Sequence, residues 1–463
     1  MKKIMIFCIP AHGHTNPILP VAKELVSRGD EVRFYSFDEF RDKIVKTGAE
    51  YISCDRFLAK LSKQEEENMK NVNTTEMSIQ DIRITINMTE FLDSEYRSFS
   101  PDAVYSDSAC FWGKLSAWKH KVPLVVSTST FAFNQLSSQY MKNSPKEIAG
   151  LIFGLPKVQK EFRRLREYGY EAKGFLSLVQ SDNATDSVVY TSKSFQPYSE
   201  SFSDRYAFVG PSVFSEKLPE KQERPLVYIS LGTVINERPE FYNNCIEALK
   251  NEPVDVIISC GKALDMSVFG ELPGNVKVYP YVDQLDVLSG TSVFITHCGM
   301  NSVSESLYMA APMVLYPQTN EQQAVARRVT EKGAGEILKD DSPAGIREAV
   351  MKILGNESYA EAARKCCEDF RACSGAKGAA DHIENAPNPT DGRDVIKELS
   401  KAVVIEQILY NVILILTGII LFRYVSVNYL WIYIPVAIIL SSPIKELFQR
   451  AYYKKLTANA KGA

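Results

Sequence analysis

The chain has 463 residues, too many for one ordinary hydrophobic core, so two packed domains with some added element are expected. Its 53 Lys and Arg nearly balance 56 Asp and Glu, with no long block of like charge, which argues against nucleic acid as a partner. Nine scattered cysteines without a C-x-x-C pair, beside five histidines, exclude a zinc module or disulfide scaffold and read as reduced, mostly buried thiols of a cytosolic body.

Lys2 and Lys3 lead into an apolar run closed by Pro10 and His12, with no small-residue cleavage site, so residues 4–9 read as a strand and not as a signal peptide. A loop (10–16) follows. A helix is predicted from about Pro17, with Ile18, Val21, Ala22, Leu25 and Val26 on one face, ending at Gly29. "EVRFYSF" (31–37) is the next strand and completes a βαβ unit. "DAVYSD" (102–107) and "VPLVVST" (122–128), separated by the helical "FWGKLSAWKH", extend the same parallel sheet. After a turn-rich stretch (208–225), short apolar strands recur at 226–232, 254–261, 276–281, 292–299 and 311–317, a second α/β unit. The expected fold class is therefore α/β, with Rossmann-like domains at 1–210 and 211–385.

A Pro, Asn and Gly linker (386–402) precedes two apolar runs, 403–422 with one charge, Glu406, and 424–444 with none. Each matches the ~20 residues that cross a bilayer. Lys397 and Lys401 before the pair, and Lys445, Arg450, Lys454, Lys455 and Lys461 after it, place both flanks on the cytoplasmic side. The expectation is a transmembrane helical hairpin over 403–445 with a basic cytoplasmic tail (446–463), anchoring cytoplasmic catalytic domains to a membrane. A buried helical pair in a soluble core, or a first run lying in the interface beside a single span, are the alternatives.

The most informative stretch is "FITHCGMNSVSESLYMAAPMVLYPQTNEQ" (294–322). A buried strand delivers His297 to its C-terminal edge, Gly299 permits close backbone approach, and Asn301 and Ser302 open a helix whose free N–H groups and positive end suit a phosphate. Glu305, one turn on, suits a sugar diol. "THCGMNSVSES", "APMVLYP" and the terminal "EQ" together resemble the donor signature of the UDP-glycosyltransferases, and Met300 resembles their bacterial macrolide-type branch. The resemblance covers about residues 1–385 and implies a GT-B fold of two facing Rossmann-like domains. It further implies that His297, Asn301 and Ser302, with Gly299, hold the diphosphate and that Glu305 binds the ribose. Glu321 and Gln322 would take the donor sugar, and Gly232 and Thr233 in "SLGT" match the other diphosphate-side loop. Tyr281, with Gln284 nearby, stands where the family usually stacks a Trp on uracil, and Asp283 replaces a usual Pro. A UDP-sugar, with Gln322 pointing to UDP-glucose, is implied as co-substrate, with no further cofactor.

Transfer of a sugar to an acceptor hydroxyl needs a base that works near neutral pH, which suits histidine. "PAHGHTNP" (10–17) resembles the family loop in which the histidine after the glycine is that base, so His14 is expected to serve and His12 to be its neighbour. Asp107, ending its strand, would orient it; Asp102 lies at the wrong strand end, and capping of the next helix is the plainer role for Asp107. No Asp-x-Asp pair is placed to hold a metal, so no divalent ion is expected. The resulting expectation is an inverting transferase acting on a lipophilic small molecule or membrane lipid. Acceptor choice would lie in the N-terminal domain, where 131–141 and 150–159 are either pocket segments or core. The alternatives are a membrane-anchored nucleotide-sugar-binding subunit without catalysis and a UDP-sugar epimerase of the same fold.

Overall fold

The computed structural model describes residues 1–58, 74–134, 137–141, 145–171, 178, 185–213, 217–220, 222–233, 235–387 and 412. In the N-terminal half, β1 (Lys3–Phe7), α1 (His12–Ser27), β2 (Glu31–Ser36), α2 (Arg41–Val45) and β3 (Glu50–Ser53) come first. They are followed by α3 (Thr74–Asn87), α4 (Thr89–Phe99), β4 (Ala103–Asp107), α5 (Phe111–His120), β5 (Leu124–Thr128), α6 (Pro145–Glu167), β6 (Asp186–Val189) and β7 (Tyr206–Phe208). The strands form one parallel sheet in the order β3-β2-β1-β4-β5-β6-β7. Ile4, Met5, Ile6 and Phe7 are all fully buried, which is why β1 reads as a continuous apolar run and not as an alternation: helices cover both faces of a parallel sheet.

The second half repeats the plan. It contains β8 (Leu226–Ser230), α7 (Pro239–Leu249), β9 (Asp255–Ser259), β10 (Val276–Tyr279), α8 (Gln284–Ser289), β11 (Val293–Thr296) and α9 (Met300–Tyr308). Then come β12 (Met313–Leu315), α10 (Asn320–Lys332), β13 (Gly335–Ile337), α11 (Pro343–Leu354), α12 (Glu357–Arg371) and α13 (Gly375–Glu384). Its sheet is also parallel, in the order β10-β9-β8-β11-β12-β13.

Strand order reverses direction once in each sheet, between β1 and β4 in the first and between β8 and β11 in the second. Open α/β sheets bind ligands at the carboxyl ends of the strands flanking such a reversal, because the two crossovers leave in opposite directions and open a crevice. At these carboxyl ends stand His14, just after β1, Asp107, the last residue of β4, and Gly232 and His297, in the loops after β8 and β11.

Three expectations need correcting. The helix after β1 starts at His12, not near Pro17, so His14 lies in its first turn. Pro17 and Pro20 do not stop the helix, because each costs one carbonyl partner and, as shown below, one freed carbonyl finds another. The last helix, α13, does not stay with the second sheet. Ala379, Ala380 and Ile383 pack into the first half's core beside Ile4, Ile6, Ile18 and Val21, and Arg28 Nη1 donates to Asp381 Oδ1 (2.7 Å) and Glu384 Oε2 (2.6 Å).

The third correction concerns the transmembrane hairpin. Among the described residues no helix is long and apolar enough to cross a membrane. The longest, α6, has 23 residues but carries Lys and Arg throughout its second half. Among the described residues the fold class is two Rossmann-like domains with no such hairpin, and the membrane anchoring and membrane partner expected with it are dropped. Residues 403–445 lie, Val412 apart, outside the described residues.

Candidate active site

The loop after β1 turns directly into α1. Ala11, extended at φ −140°, is its N-cap, and the His14 and Thr15 N–H groups bond back to the Ala11 carbonyl at 3.1 and 2.9 Å. This first turn aims His14 at the end of β4, where Asp107 is fully buried. His14 Nδ1 lies 2.7 Å from Asp107 Oδ2 and 3.2 Å from Ser129 Oγ. A carboxylate only accepts, so Nδ1 carries the proton and Nε2 is left with its lone pair. Asp107 Oδ1 accepts from the Ala109 N–H at 2.8 Å, which fixes the carboxylate plane. Asp107 does not cap the next helix, whose N-cap is Cys110. Asp102 binds the Lys3 N–H at the other strand end (2.8 Å).

Desolvation pulls the His14 imidazolium down, but the Asp107 charge and hydrogen bond, helped by Glu321 and Asp81, more than offset it and raise its affinity for a proton. His12 differs. Its Nε2 pairs with exposed Glu39 at 3.1 Å and its ring meets Phe40 edge-on, a surface arrangement away from the carboxylate.

In the second half, β11 delivers His297 beside two glycines. A Cβ on Gly232 would stand 2.5 Å from His297 Cε1, and one on Gly299 would stand 2.5 Å from His297 Nε2, so the imidazole occupies space that only glycine leaves. Gly232 also has φ +76°, the left-handed region that glycine tolerates. Burial pushes His297 down to about 4, against a smaller opposing effect of the Ser230 carbonyl, so the ring is neutral near pH 7. Gly299 is the N-cap of α9 and supplies no side-chain cap, so the N–H groups of the first turn, at Met300, Asn301 and Ser302, are unoccupied by a capping oxygen.

Glu305 is held by Gln284, whose Nε2 donates to Glu305 Oε2 at 2.6 Å and approaches Ser302 Oγ at 3.3 Å, while Tyr228 O–H donates to Gln284 Oε1 (3.2 Å). Desolvation pushes Glu305 up to about 7, with Gln284 opposing. The departure at Asp283 has a structural reason. Its carboxylate caps α8, accepting from Leu285 and Asp286 N–H at 3.1 and 3.2 Å. Tyr281 is 71% exposed, and the Lys262 ammonium lies over its ring, 5.8 Å from the centroid. Gln322 closes a capping box at the start of α10: Oε1 accepts from Gln318 N–H (2.7 Å) and Thr319 N–H (3.2 Å), leaving its amide N–H groups for other work. Glu321 and Thr233 are exposed.

The two halves meet at the loops that carry these residues. Pro17 has no N–H to give the Gly13 carbonyl four residues back, and that carbonyl accepts instead from Asn301 Nδ2 across the cleft at 3.0 Å. His14 and Glu321, from opposite halves, are close enough for the carboxylate to favour the charged imidazole. The structure thus assembles His14, Asp107, Asn301, Glu321 and their neighbours at one crevice, while the described residues of the 131–141 segment are mostly core: Phe131 is 1% exposed and packs between the halves on Phe195. In the other segment Val158 is buried against Ile79 and Ile82.

Sequence reasoning missed Ser129, Lys114 and Asp81. Ser129 follows β5 and gives no motif signal. Lys114 is buried on α5 and donates to the Ser108 and Leu178 carbonyls. A lysine on the buried face of a predicted helix was the only available hint. Among the described residues no group of three or more His, Cys, Asp or Glu side chains is placed to hold a metal ion. All nine cysteines are free thiols, eight of them buried.

This geometry has relatives. Residues 211–368 match the family of UDP-glucoronosyl and UDP-glucosyl transferases. The chain is 35% identical over 395 residues to an NDP-glycosyltransferase, YjiC, of Bacillus licheniformis, covering 83% of this chain and 97% of that one. It is 31% identical over 404 residues to an uncharacterized UDP-glucosyltransferase, YojK, of Bacillus subtilis, covering 83% and 98%. The crystal structure of CalG4, the calicheamicin glycosyltransferase, superposes with a TM-score of 0.67 at 28% identity, over 83% of this chain and 97% of that one. The chain belongs to the UDP-glycosyltransferase family and is a glycosyltransferase of the two-domain GT-B fold, so the readings as an epimerase or a non-catalytic binding subunit are set aside.

Proposed function

We propose that the protein is an inverting hexosyltransferase that moves glucose from UDP-glucose to a hydroxyl of a lipophilic small molecule, with His14 as base and Asp107 as the residue that positions it. The 2.7 Å His14 Nδ1 to Asp107 Oδ2 contact, facing the donor loops across the crevice, carries this reading. The acceptor oxygen attacks the anomeric carbon on the face opposite the nucleotide, its proton passes to His14 Nε2, and the bond from C1 to the β-phosphate oxygen breaks to release UDP. Asp107 stabilises the imidazolium so formed, as acidic partners do in other dyads.

On the donor side, the uncapped first turn of α9, neutral His297 and Asn301 suit the growing charge on the diphosphate. Glu305 fits the ribose hydroxyls, Tyr281 offers a face to the base, Gly232 and Thr233 border the diphosphate, and Glu321 with the Gln322 amide fits the sugar hydroxyls. The names of the relatives support a nucleotide-sugar donor, and the printed name of YojK supports glucose.

The test is acceptor-dependent UDP release from UDP-glucose with a panel of phenols and sterols. We expect His14→Ala to lose about 10²–10⁴-fold in rate while still binding UDP. Undiminished release by His14→Ala would refute the assignment of the base.

A further inference from the structure

Gly232, in the loop that leaves β8, has a different neighbour on each side. At φ +76° it makes room for the His297 imidazole, which comes from the β11 side. On the other side lies Asn236, 8% exposed, whose Nδ2 donates to the Gly232 carbonyl at 2.8 Å. Asn236 fills space left by Gly261, just past β9: a Cβ on Gly261 would stand 2.3 Å from Asn236 Nδ2, and its φ is +88°. Since β8 lies between β9 and β11, the carbonyl is drawn toward β9 and away from His297 and the start of α9. We propose that Asn236 is a positioning residue of the donor seat: by holding the Gly232 carbonyl on the β9 side, it aims the Thr233 N–H at the diphosphate of the nucleotide sugar. This rests on the reading of the loop after β8 as part of the diphosphate seat.

Three observations support the assignment. A trans peptide points its C=O and N–H in opposite directions, so fixing the Gly232 carbonyl on the β9 side turns the Thr233 N–H toward the β11 side. That N–H has no partner among the described residues, and on the same side the first-turn N–H groups of α9 lack a capping oxygen. The second observation is that this position has to be glycine, and glycine tolerates both orientations of the peptide. In the flipped orientation a carbonyl oxygen would face the phosphate charge in place of an N–H, and the bond from Asn236 favours the orientation that binds anions. The third is that the anchor is itself held. Gln318 Nε2 donates to the Ile235 carbonyl at 3.0 Å, and the Gln318 N–H donates to Gln322 Oε1 at 2.7 Å, which ties the loop to the start of α10. No apolar side chain at 236 can donate to the Gly232 carbonyl.

The experiment is calorimetric binding of UDP and of uridine to wild type, Asn236→Ala and Asn236→Leu. Wild type is expected to bind UDP more tightly than uridine, which has no phosphate. Both variants are expected to lose about tenfold in UDP affinity, the worth of one hydrogen bond to a charged group, while uridine affinity stays within about twofold of wild type. If Asn236→Ala does not fold, Asn236→Leu, which fills the same space, carries the same expectation. A merely structural role would weaken both ligands alike, so equal losses for UDP and uridine overturn the proposal. A wild-type preference for UDP that survives in a folded variant overturns it and leaves the diphosphate seat standing. Equal binding of UDP and uridine by wild type overturns both. Neither measurement involves turnover, so failure of His14 as the base is seen separately.

Discussion

Single residues here are tuned by what surrounds them, and their tuning predicts pH behaviour. Glu305 has a folded value near 7 against an ordinary 4.5, because burial disfavours its charged form more than Gln284 favours it. The sign follows from linkage. The proton is held more tightly in the folded protein, so the stabilising contribution is complete below about pH 4.5 and is lost as pH rises through about 7. Glu305→Gln should therefore match wild type in unfolding midpoint near pH 4 and exceed it near pH 8, in the absence of nucleotide. The proposed contact of Glu305 with the ribose needs the carboxylate, so UDP affinity should rise up to about tenfold between about pH 6 and about pH 8 in wild type and stay flat in the Gln variant. A wild-type affinity that does not change over that range would remove Glu305 from the ribose site.

At the level of elements, α1 and α9 are coupled by a missing hydrogen bond. Pro17 leaves the Gly13 carbonyl free within α1, and Asn301 takes it at 3.0 Å. Pro17→Ala restores an N–H that competes for the same carbonyl, so its effect on UDP-glucose affinity should depend on whether Asn301 is present. A double-mutant cycle with Asn301→Ala is expected to give a coupling of about 0.5–1.5 kcal/mol, the worth of one such bond. Additive effects would mean that the contact carries no donor-binding energy. The helix start itself was hard to read because two prolines in "HTNPILP" look like a boundary. The partner that takes the carbonyl freed by Pro17 lies 284 residues further along, at Asn301, where no local pattern shows it.

At the scale of the molecule, two sheets present their strand-order reversals to one crevice, the first bringing His14 and Asp107 and the second His297 and the start of α9. Much of this was legible in sequence, since strands buried on both faces leave apolar runs ending in Gly or Pro, and the loops after β1, β4, β8 and β11 carry residues with distinctive chemistry. Two kinds of information were not legible. The return of α13 to the first core depends on which apolar face Ala379, Ala380 and Ile383 meet, and an amphipathic stripe does not name its partner. Ser129 reaches the site from the end of β5, joined to His14 only by the fold.

The central claim is that His14 takes the acceptor proton while Asp107 holds it in place. It is tested most directly by the rates of wild type and His14→Ala with acceptors of graded acidity, from an aliphatic alcohol through 2-naphthol to 4-nitrophenol, at fixed saturating UDP-glucose. An acceptor that is already ionised needs no base, so the deficit of His14→Ala should shrink from about 10³-fold for the alcohol toward a few-fold for 4-nitrophenol. An equal deficit across the series would contradict the assignment and leave His14 a structural or binding residue.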